Sequence, residues 1–531
     1  SWIVVLGVLE ALRRRTGWML FLIIVAFCIY GMVAHLVPSP LTGRQLQLDF
    51  LTVYLAFDPS AVLGMPLSVA STIVVIFILF GEVLFCTGGG QFFTDLAMAM
   101  VGRRRGGAAK IAVLSSALFG SISGSAVSNV ATTGLFTIPL MRRAGYKSTD
   151  AGTIEAVAST GGQFMPPIMG AAAFLMVEFL NINYTTVVLA ALIPAMLYYI
   201  ALFVQVHLMA ERDNLGVVEA DLPRLGLVLR QGWHFFVPFV LLIVFLFQFN
   251  MSAERAALYS AGAMLVIGLV KPYRDQKASM ADTVNSFARA GLNTVELITI
   301  VAAAGFVIGV LNATGGGFAV TLALVQLGGG NLIALLLIGA LTCIILGMGM
   351  PTAGVYVLLA ALVAPAIVET GVEPIAAHMF VLYFGMMSMI TPPIALACFA
   401  AATLTKASPL MTGVAAVRLG WVAYIVPFLF VFSPSLLMVG ETSDIAISVV
   451  TAILGVFLIT IGVVGFYRIR LGSVFRTAFF AAGLATLTPA NAMPYGTLVD
   501  LCGILGGAAL LAGCYYQQRR GAAVQSIQNA S

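Results

Sequence analysis

Thr87-Gly88-Gly89-Gly90, Pro139, Gly145 and Pro166-Pro167-Ile168 return later in the chain as Thr314-Gly315-Gly316-Gly317, Pro365, Gly371 and Pro392-Pro393-Ile394. The spacings repeat with the letters. The glycine cluster precedes the double proline by 79 residues in the first copy and 78 in the second, and the single proline precedes it by 27 in both. Glycine permits left-handed backbone and proline removes an amide donor, so each copy carries the same series of helix breaks at the same positions.

The composition says where those breaks lie. Of 531 residues, 61% are hydrophobic and 9% charged, with mean hydropathy +1.05, far from the roughly half-apolar, quarter-charged soluble average. Clean apolar spans are expected near 17–37, 67–86, 185–210, 234–250, 255–270, 291–313, 418–434, 446–466 and 497–516, each long enough at about 20 residues to cross a bilayer. The expected fold class is therefore an all-α polytopic membrane protein. Duplicated halves with interrupted apolar segments at matching positions point to a secondary transporter, with its site where the breaks meet.

Charge sets the orientation. Lys and Arg favour cytoplasmic loops, and Arg13–Arg15, Arg103–Arg105, Arg142/Arg143/Lys147, Arg224/Arg230, Lys271/Arg274/Lys277, Lys406, Arg468/Arg470/Arg476 and Arg519/Arg520 all thread to one side. Glu441 and Asp444 fall on the other, and both termini are expected inside. The second-copy loops that match the first basic clusters, Gly328–Asn331 and Glu369–Glu373, carry no base. Opposite orientation of the two copies accounts for that loss, so the repeats are read as inverted. The net charge of +5 is spread over membrane-flanking clusters, which fits orientation and argues against a nucleic-acid surface.

Other classes are disfavoured. Cys28, Cys86, Cys343, Cys398, Cys502 and Cys514 stand alone in apolar runs, and no HExxH occurs among the four histidines. Gly102-Arg103-Arg104-Arg105-Gly106-Gly107-Ala108 lacks the Lys-Ser/Thr of a P-loop, so energy is expected from an ion gradient and not from ATP. Ser123 before Gly124 faintly suggests an intramembrane serine protease with His378 as base. A channel-like pore is the other alternative. The chain opens on Ser1-Trp2 with no basic leader, so no signal peptide is expected.

Three kinds of segment carry the chemistry. A hairpin at 111–140 holds the run Ser121 to Gly134, whose polar groups would be costly facing lipid; Ser121, Ser123, Ser125, Ser128, Thr132 and Thr133 supply oxygens for a hard cation. Gly120-Ser121-Ile122-Ser123-Gly124 also fits a small-residue helix-packing seam. A second hairpin at 331–365 turns at Gly347–Gly354, where Pro351-Thr352 opens a half-helix, with a simple kink as the alternative. Ser159–Pro167 and Gly385–Pro393 break a span each, and Gln163 and Thr391 add ligands there. One hairpin tip and one broken helix per copy would make two half-sites. Of the intramembrane acids Glu82, Glu155 and Glu178, functional candidates by default, Glu155 could carry a proton, counter an ion or sit at the interface as a structural residue.

The stretch VGRRRGGAAKIAVLSSALFGSISGSAVSNVATTGLFTIPLMRRAGY, with ASTGGQFMPPIMGAAAFLM, GMGMPTAGVYVLLA and MITPPIALACFAA, resembles the large membrane subunit of the tripartite ATP-independent periplasmic (TRAP) transporters. It looks most like the fused permeases that serve TAXI-type binding proteins. The resemblance covers roughly 60–430. It implies an elevator-type inverted-repeat transporter of the bacterial inner membrane that imports small organic anions on a sodium or proton gradient. It implies no other cofactor, and as partner a soluble periplasmic binding protein; a separate small membrane subunit is one of three alternatives, beside a chain cut short and a reduced scaffold. By motif position it implies cation ligands at Ser123, Ser125, Asn129, Gly162 and Gln163 in copy one, and at Gly349, Thr352, Gly354, Ser388 and Thr391 in copy two. Ser128, Thr132, Pro166, Pro351 and Pro392 fall to the substrate. The expected organisation is N-terminal scaffold at 1–66, with a small-subunit remnant as one reading of it, then repeat one at 67–210, connecting scaffold at 211–290, repeat two at 291–434 and extra segments at 435–531. The chain departs from the fused pattern in having only Ser1 to Arg15 ahead of its first clear span.

Overall fold

The computed structural model describes residues 1–528 except 218–221, 275–278 and 489–494, with side chains described to residue 520. Among them, nine helices can cross a membrane by length and hydropathy: Trp18–Leu36, Met65–Cys86, Tyr184–Arg212, Leu225–Phe247, Ala253–Val270, Met280–Thr314, Pro409–Phe432, Thr442–Val464 and Gly496–Arg520. Each coincides with an expected span. One short ribbon departs from the all-helical expectation: Phe466–Tyr467 pairs antiparallel with Ile469–Arg470. It forms because Gly465, left-handed at φ 72°, ends the preceding helix and the chain must reverse at once. Lys277 of the expected basic clusters lies outside the described residues.

The two copies share one order of elements. In the first, the span ending at Cys86 passes through Gly88 (φ 93°) into an arm helix Gly89–Val101, then a hairpin of Gly107–Ser123 and Ala126–Arg143, then a broken helix of Ser148–Gly161 and Ala171–Leu180. In the second, Met280–Thr314 passes through Gly315 (φ 72°) into the arm Gly316–Gly328, a hairpin of Leu332–Gly347 and Thr352–Leu362, and the pair Pro374–Met387 and Leu396–Thr405. Gly145 and Gly371 turn the chain after each hairpin with φ 93° and 87°. Between the arms lie the first broken helix and four full spans, an odd number of crossings, so the second copy begins from the opposite face.

The broken helices form the centre. Ala151–Gly161 and Ile375–Met387 are buried on every side, as a helix enclosed by other helices must be. Ser148–Gly161 reads Ser-Thr-Asp-Ala-Gly-Thr-Ile-Glu-Ala-Val-Ala-Ser-Thr-Gly; its small residues let both hairpin-one helices and the helices Leu396–Thr405 and Pro409–Leu419 pack closely around it. The C-terminal segments stack on one another and on Tyr184–Arg212. Arginines fasten them: Arg212 and Arg418 donate to Val464 O (3.2 Å) and Val463 O (2.7 Å), and Arg476 to Gly462 O (3.0 Å) and Val463 O (3.1 Å). Guanidinium groups on the last carbonyls of a helix satisfy open acceptors and oppose its dipole.

Candidate functional site

The first hairpin turns on Gly124 at φ 61°, and a Cβ there would lie 2.3 Å from the Gly170 Cα. Four residues earlier, a Cβ on Gly120 would lie 2.6 Å from the Gly162 Cα. The tip thus rests backbone to backbone on the first broken helix. Asn129, fully buried, clamps the contact by donating from Nδ2 to Ser116 O (3.0 Å) and Ser159 O (3.4 Å). Within Ser121–Gly134 and the residue before it, glycines face the broken helix as a packing seam does, and hydroxyls surround the turn. Ser125 caps Ala126–Arg143 by accepting from Ser128 N (3.4 Å), while the buried Ser123 Oγ has no partner among the described residues.

The second hairpin turns at Met348–Pro351, with Gly349 at φ 73° and Pro351 just ahead of Thr352, where the next helix starts. Gly347 sits on its own broken helix, where a Cβ would lie 2.8 Å from Ser388 Oγ. Thr352, however, reaches the other copy: its hydroxyl donates to Gln163 Oε1. Gln163 is fully buried and its Nε2 has no partner among the described residues. The half-sites read separately from sequence are therefore joined by a bond between residues 189 apart.

Both tips open on one cavity of about 570 Å³. Its lining includes Ser123, Ser125, Ser128, Gly349, Pro351 and Thr352 from the two tips, and Arg15, Glu82, Asn293 and Glu296 from helices outside the hairpins. Glu82 accepts from Arg289 Nε (3.1 Å) and Asn293 Nδ2 (2.9 Å). The helices beginning at Ala126 and Thr352 both present N-terminal turns here, where free amides and the helix dipole favour an anion.

The remaining candidates lie elsewhere. Thr132 is one turn along the exposed face of its helix and donates to Ser128 O (2.8 Å). Pro166 lines a separate, apolar cavity of about 510 Å³ with Met165, Pro167, Phe203 and Phe239. Pro392 packs over Gly413, and Gly354 against Ile300. Ser388 and Thr391 donate to Gly385 O and Met387 O (both 2.6 Å), and Thr391 also meets the Tyr424 hydroxyl at 2.7 Å. Gly162 and Asn129 are enclosed by the backbone contact described above. His378 Nδ1 pairs with the Tyr356 hydroxyl at 2.7 Å, so Ser123 and His378 make no protease dyad. Glu178 is exposed. Glu155 is not interfacial: it is fully buried and accepts from four hydroxyl groups.

Arg15, Asn293 and Glu296 escaped the sequence reading. Arg15 was legible only as an orientation charge, and nothing local marks the other two, because this lining comes from helices in three distant parts of the chain.

Comparison with known proteins gives consistent matches. The family model described as "Tripartite ATP-independent periplasmic transporter, DctM component" matches residues 3–445. The C4-dicarboxylate TRAP transporter large permease protein DctM of Pseudomonas aeruginosa is 27% identical over 73% of this chain and 91% of its own length. The 2,3-diketo-L-gulonate TRAP transporter large permease protein YiaN of Escherichia coli is 25% identical over 60% and 74%, and the sialic acid TRAP transporter large permease protein SiaM of Vibrio cholerae 24% over 61% and 74%. A crystal structure of the Alcanivorax borkumensis YdaH transporter, noted for its unusual topology, superposes with a TM-score of 0.53 at 16% identity, covering 78% of this chain and 98% of that one; this likeness concerns the fold alone.

Proposed function

The chain belongs to the DctM-component family of tripartite ATP-independent periplasmic transporters, and from that premise we propose that it imports small organic anions, carboxylates among them, on a sodium or proton gradient by an elevator movement. It is a multi-pass inner-membrane permease and not an enzyme; such permeases work with a periplasmic binding protein and a small membrane subunit. The binding protein we assign to the TAXI type, on the sequence resemblance. In this reading the two hairpins and their broken helices travel together past the scaffold that carries Arg15, Glu82, Asn293 and Glu296.

The observation that carries the proposal is the cavity itself. Both hairpin tips and helices outside the hairpins line it, so a small anion held there contacts the two bodies that, in this reading, must move apart. Its volume of about 570 Å³ lies in the range of small-molecule sites. Two helix N-termini and the Arg15 guanidinium supply positive potential at the hairpin tips, against the carboxylates of Glu296 and of Glu82, the latter paired with Arg289. The relatives named for C4-dicarboxylates, diketogulonate and sialic acid handle molecules that carry a carboxylate, which agrees with this polarity. By the basic-loop orientation, Arg15, Glu82 and Asn293 lie in the cytoplasmic halves of their helices, and the cavity then faces inward. Arg105 bonds Asn214, and Lys110 meets His207 Nδ1 at 3.1 Å, gathering basic segments far apart in sequence at one end.

The test is uptake of radiolabelled small carboxylates by proteoliposomes holding the chain, its small subunit and its binding protein. Accumulation is expected only under a cation gradient and only with the binding protein present. Equal uptake after an ionophore collapses the gradient removes the coupling, and flux without the binding protein makes the chain a pore. For the inversion, Arg104→Cys and Glu369→Cys in a cysteine-free background are expected to react with an impermeant maleimide from opposite faces of the membrane; both positions are exposed, and labelling from one face refutes the orientation.

A further inference from the structure

The hydroxyls of Ser116, Thr133 and Ser159 donate to Glu155 Oε1 at 3.1, 2.5 and 3.3 Å, and that of Thr137 donates to Oε2. Both helices of hairpin one and the broken helix itself contribute. The carboxyl is completely buried, and no cationic group pairs with it among the described residues. A lone buried carboxylate is disfavoured by several kcal/mol, so a charge here calls for a compensating positive species.

The cationic and titratable groups on the surrounding elements are occupied elsewhere. On the hairpin, Lys110 meets His207, Arg142 donates to Tyr146 O (2.6 Å) and Arg143 is exposed. On Tyr184–Arg212, Tyr184 donates to Pro167 O and Ile168 O, Tyr198 and Tyr199 to Val157 O and Ala158 O, Glu211 faces His207, and Arg212 pairs with Asp213. Cys398 on Leu396–Thr405 faces Ile390 O, Lys406 caps that helix, and Arg418 on Pro409–Leu419 donates to Val463 O. Asp150 lies at the far start of the helix that carries Glu155.

The internal repeat shows that the fold does not require this cluster. Counting 226 residues along, Asn129, Thr133, Thr137, Glu155 and Ser159 become Val355, Leu359, Val363, Val381 and Gly385. The first four of these are buried, and a Cβ on Gly385 would touch Val355 (2.6 Å) and Leu359 (2.9 Å). At the positions of Thr133, Thr137 and Glu155 the second hairpin thus holds its broken helix with hydrocarbon, with Gly385 in place of Ser159, while Ser116 falls on Thr342, whose hydroxyl donates to Ile338 O (2.8 Å). A buried polar group that an apolar twin can replace is retained at a cost to stability.

We propose that Glu155 is a proton-carrying site of this chain, riding with hairpin one and linking the hairpin's position to pH. Ser and Thr hydroxyls can donate or accept by rotating. Four donate to the carboxylate; when the proton arrives on one oxygen, one hydroxyl turns to accept it and the other three still donate. Thr133 passes the change on, because it also contacts Asn129 Oδ1 at 3.2 Å, and Asn129 clamps the hairpin to the broken helix. The inference rests on the moving-hairpin reading above for its link to transport, but not for the proton site itself.

Infrared difference spectra of the full chain in nanodiscs, recorded across pH, test the site without any substrate. Wild type should show a carboxylic-acid carbonyl band that titrates, and Glu155→Gln should lose it; identical spectra overturn the proposal. If Glu155→Gln does not fold, Thr137→Val decides, since it keeps the carboxyl and removes one partner: the band must shift, and an unmoved band overturns the assignment. The link to movement is read from Ser128→Cys at the cavity wall. Its maleimide reactivity, relative to the denatured chain, should vary with pH in the wild-type background and not with Glu155→Gln; the same pH response in both sinks the link. A titrating band in a chain that shows no coupled uptake would count against the anion-transport reading and leave the proton site standing.

Discussion

Replacing Gly124 by valine is expected to eliminate uptake. The residue sits at φ 61°, where a side chain would approach the Gly170 Cα to 2.3 Å, and Gly170 is itself left-handed at φ 70°. The obstacle is backbone, which cannot rotate aside as a side-chain end can. Left-handed geometry costs an L-residue about 1–2 kcal/mol, and overpacking adds about 1–3 kcal/mol. The hairpin relieves this only by lifting from the broken helix, which opens the wall of the cavity. Gly262, with nothing within 4 Å of its would-be Cβ, is the control: Gly262→Ala should transport as wild type. Wild-type uptake by Gly124→Val, measured in the same proteoliposomes, would remove the tip contact from the mechanism.

The second large effect belongs to Gln163 and Thr352. Thr352→Val leaves the fully buried Gln163 Oε1 without its donor, and an unsatisfied buried group costs about 1–3 kcal/mol; Gln163→Leu removes the acceptor of the half-buried Thr352 hydroxyl. Both substitutions should lower melting temperature in detergent and blunt the cation dependence of uptake. The double variant should lose little more than either single one, with a coupling of about 0.5–3 kcal/mol. Strictly additive losses would mean that the two copies do not act through this bond.

Much of the architecture was written locally. Each of the nine spans is a hydropathy window, and both hairpin turns and both breaks fall on glycine or proline, whose effect on the backbone needs no distant partner. What the sequence concealed depends on contacts across the chain. Thr352 belongs by position to copy two, yet it bonds copy one; no spacing rule brings together residues 189 apart. Arg15 looked like an orientation charge because only the fold turns it toward a cavity. Glu155, five residues from Asp150, resembled an interfacial acid until hydroxyls from a preceding hairpin enclosed it. The repeat was legible as two equal halves, whereas the structure fills them differently, with a polar network around Glu155 in one copy and with valine and leucine at matching positions in the other.

The enclosed helix Ser148–Gly161 has a consequence for the surrounding lipid. Its buried polar side chains Thr153, Glu155, Ser159 and Thr160 all bond within the protein, to Thr412 O, the hairpin hydroxyls, Glu155 and Ala156 O. None of them calls on headgroups or bulk water. In the elevator movement proposed above these bonds travel with the body, and vertical displacement is resisted where its outer helices meet the acyl chains. Such resistance amounts to fractions of a kcal/mol per ångström of hydrophobic mismatch, so in that proposed movement membrane thickness bears on how far the body travels.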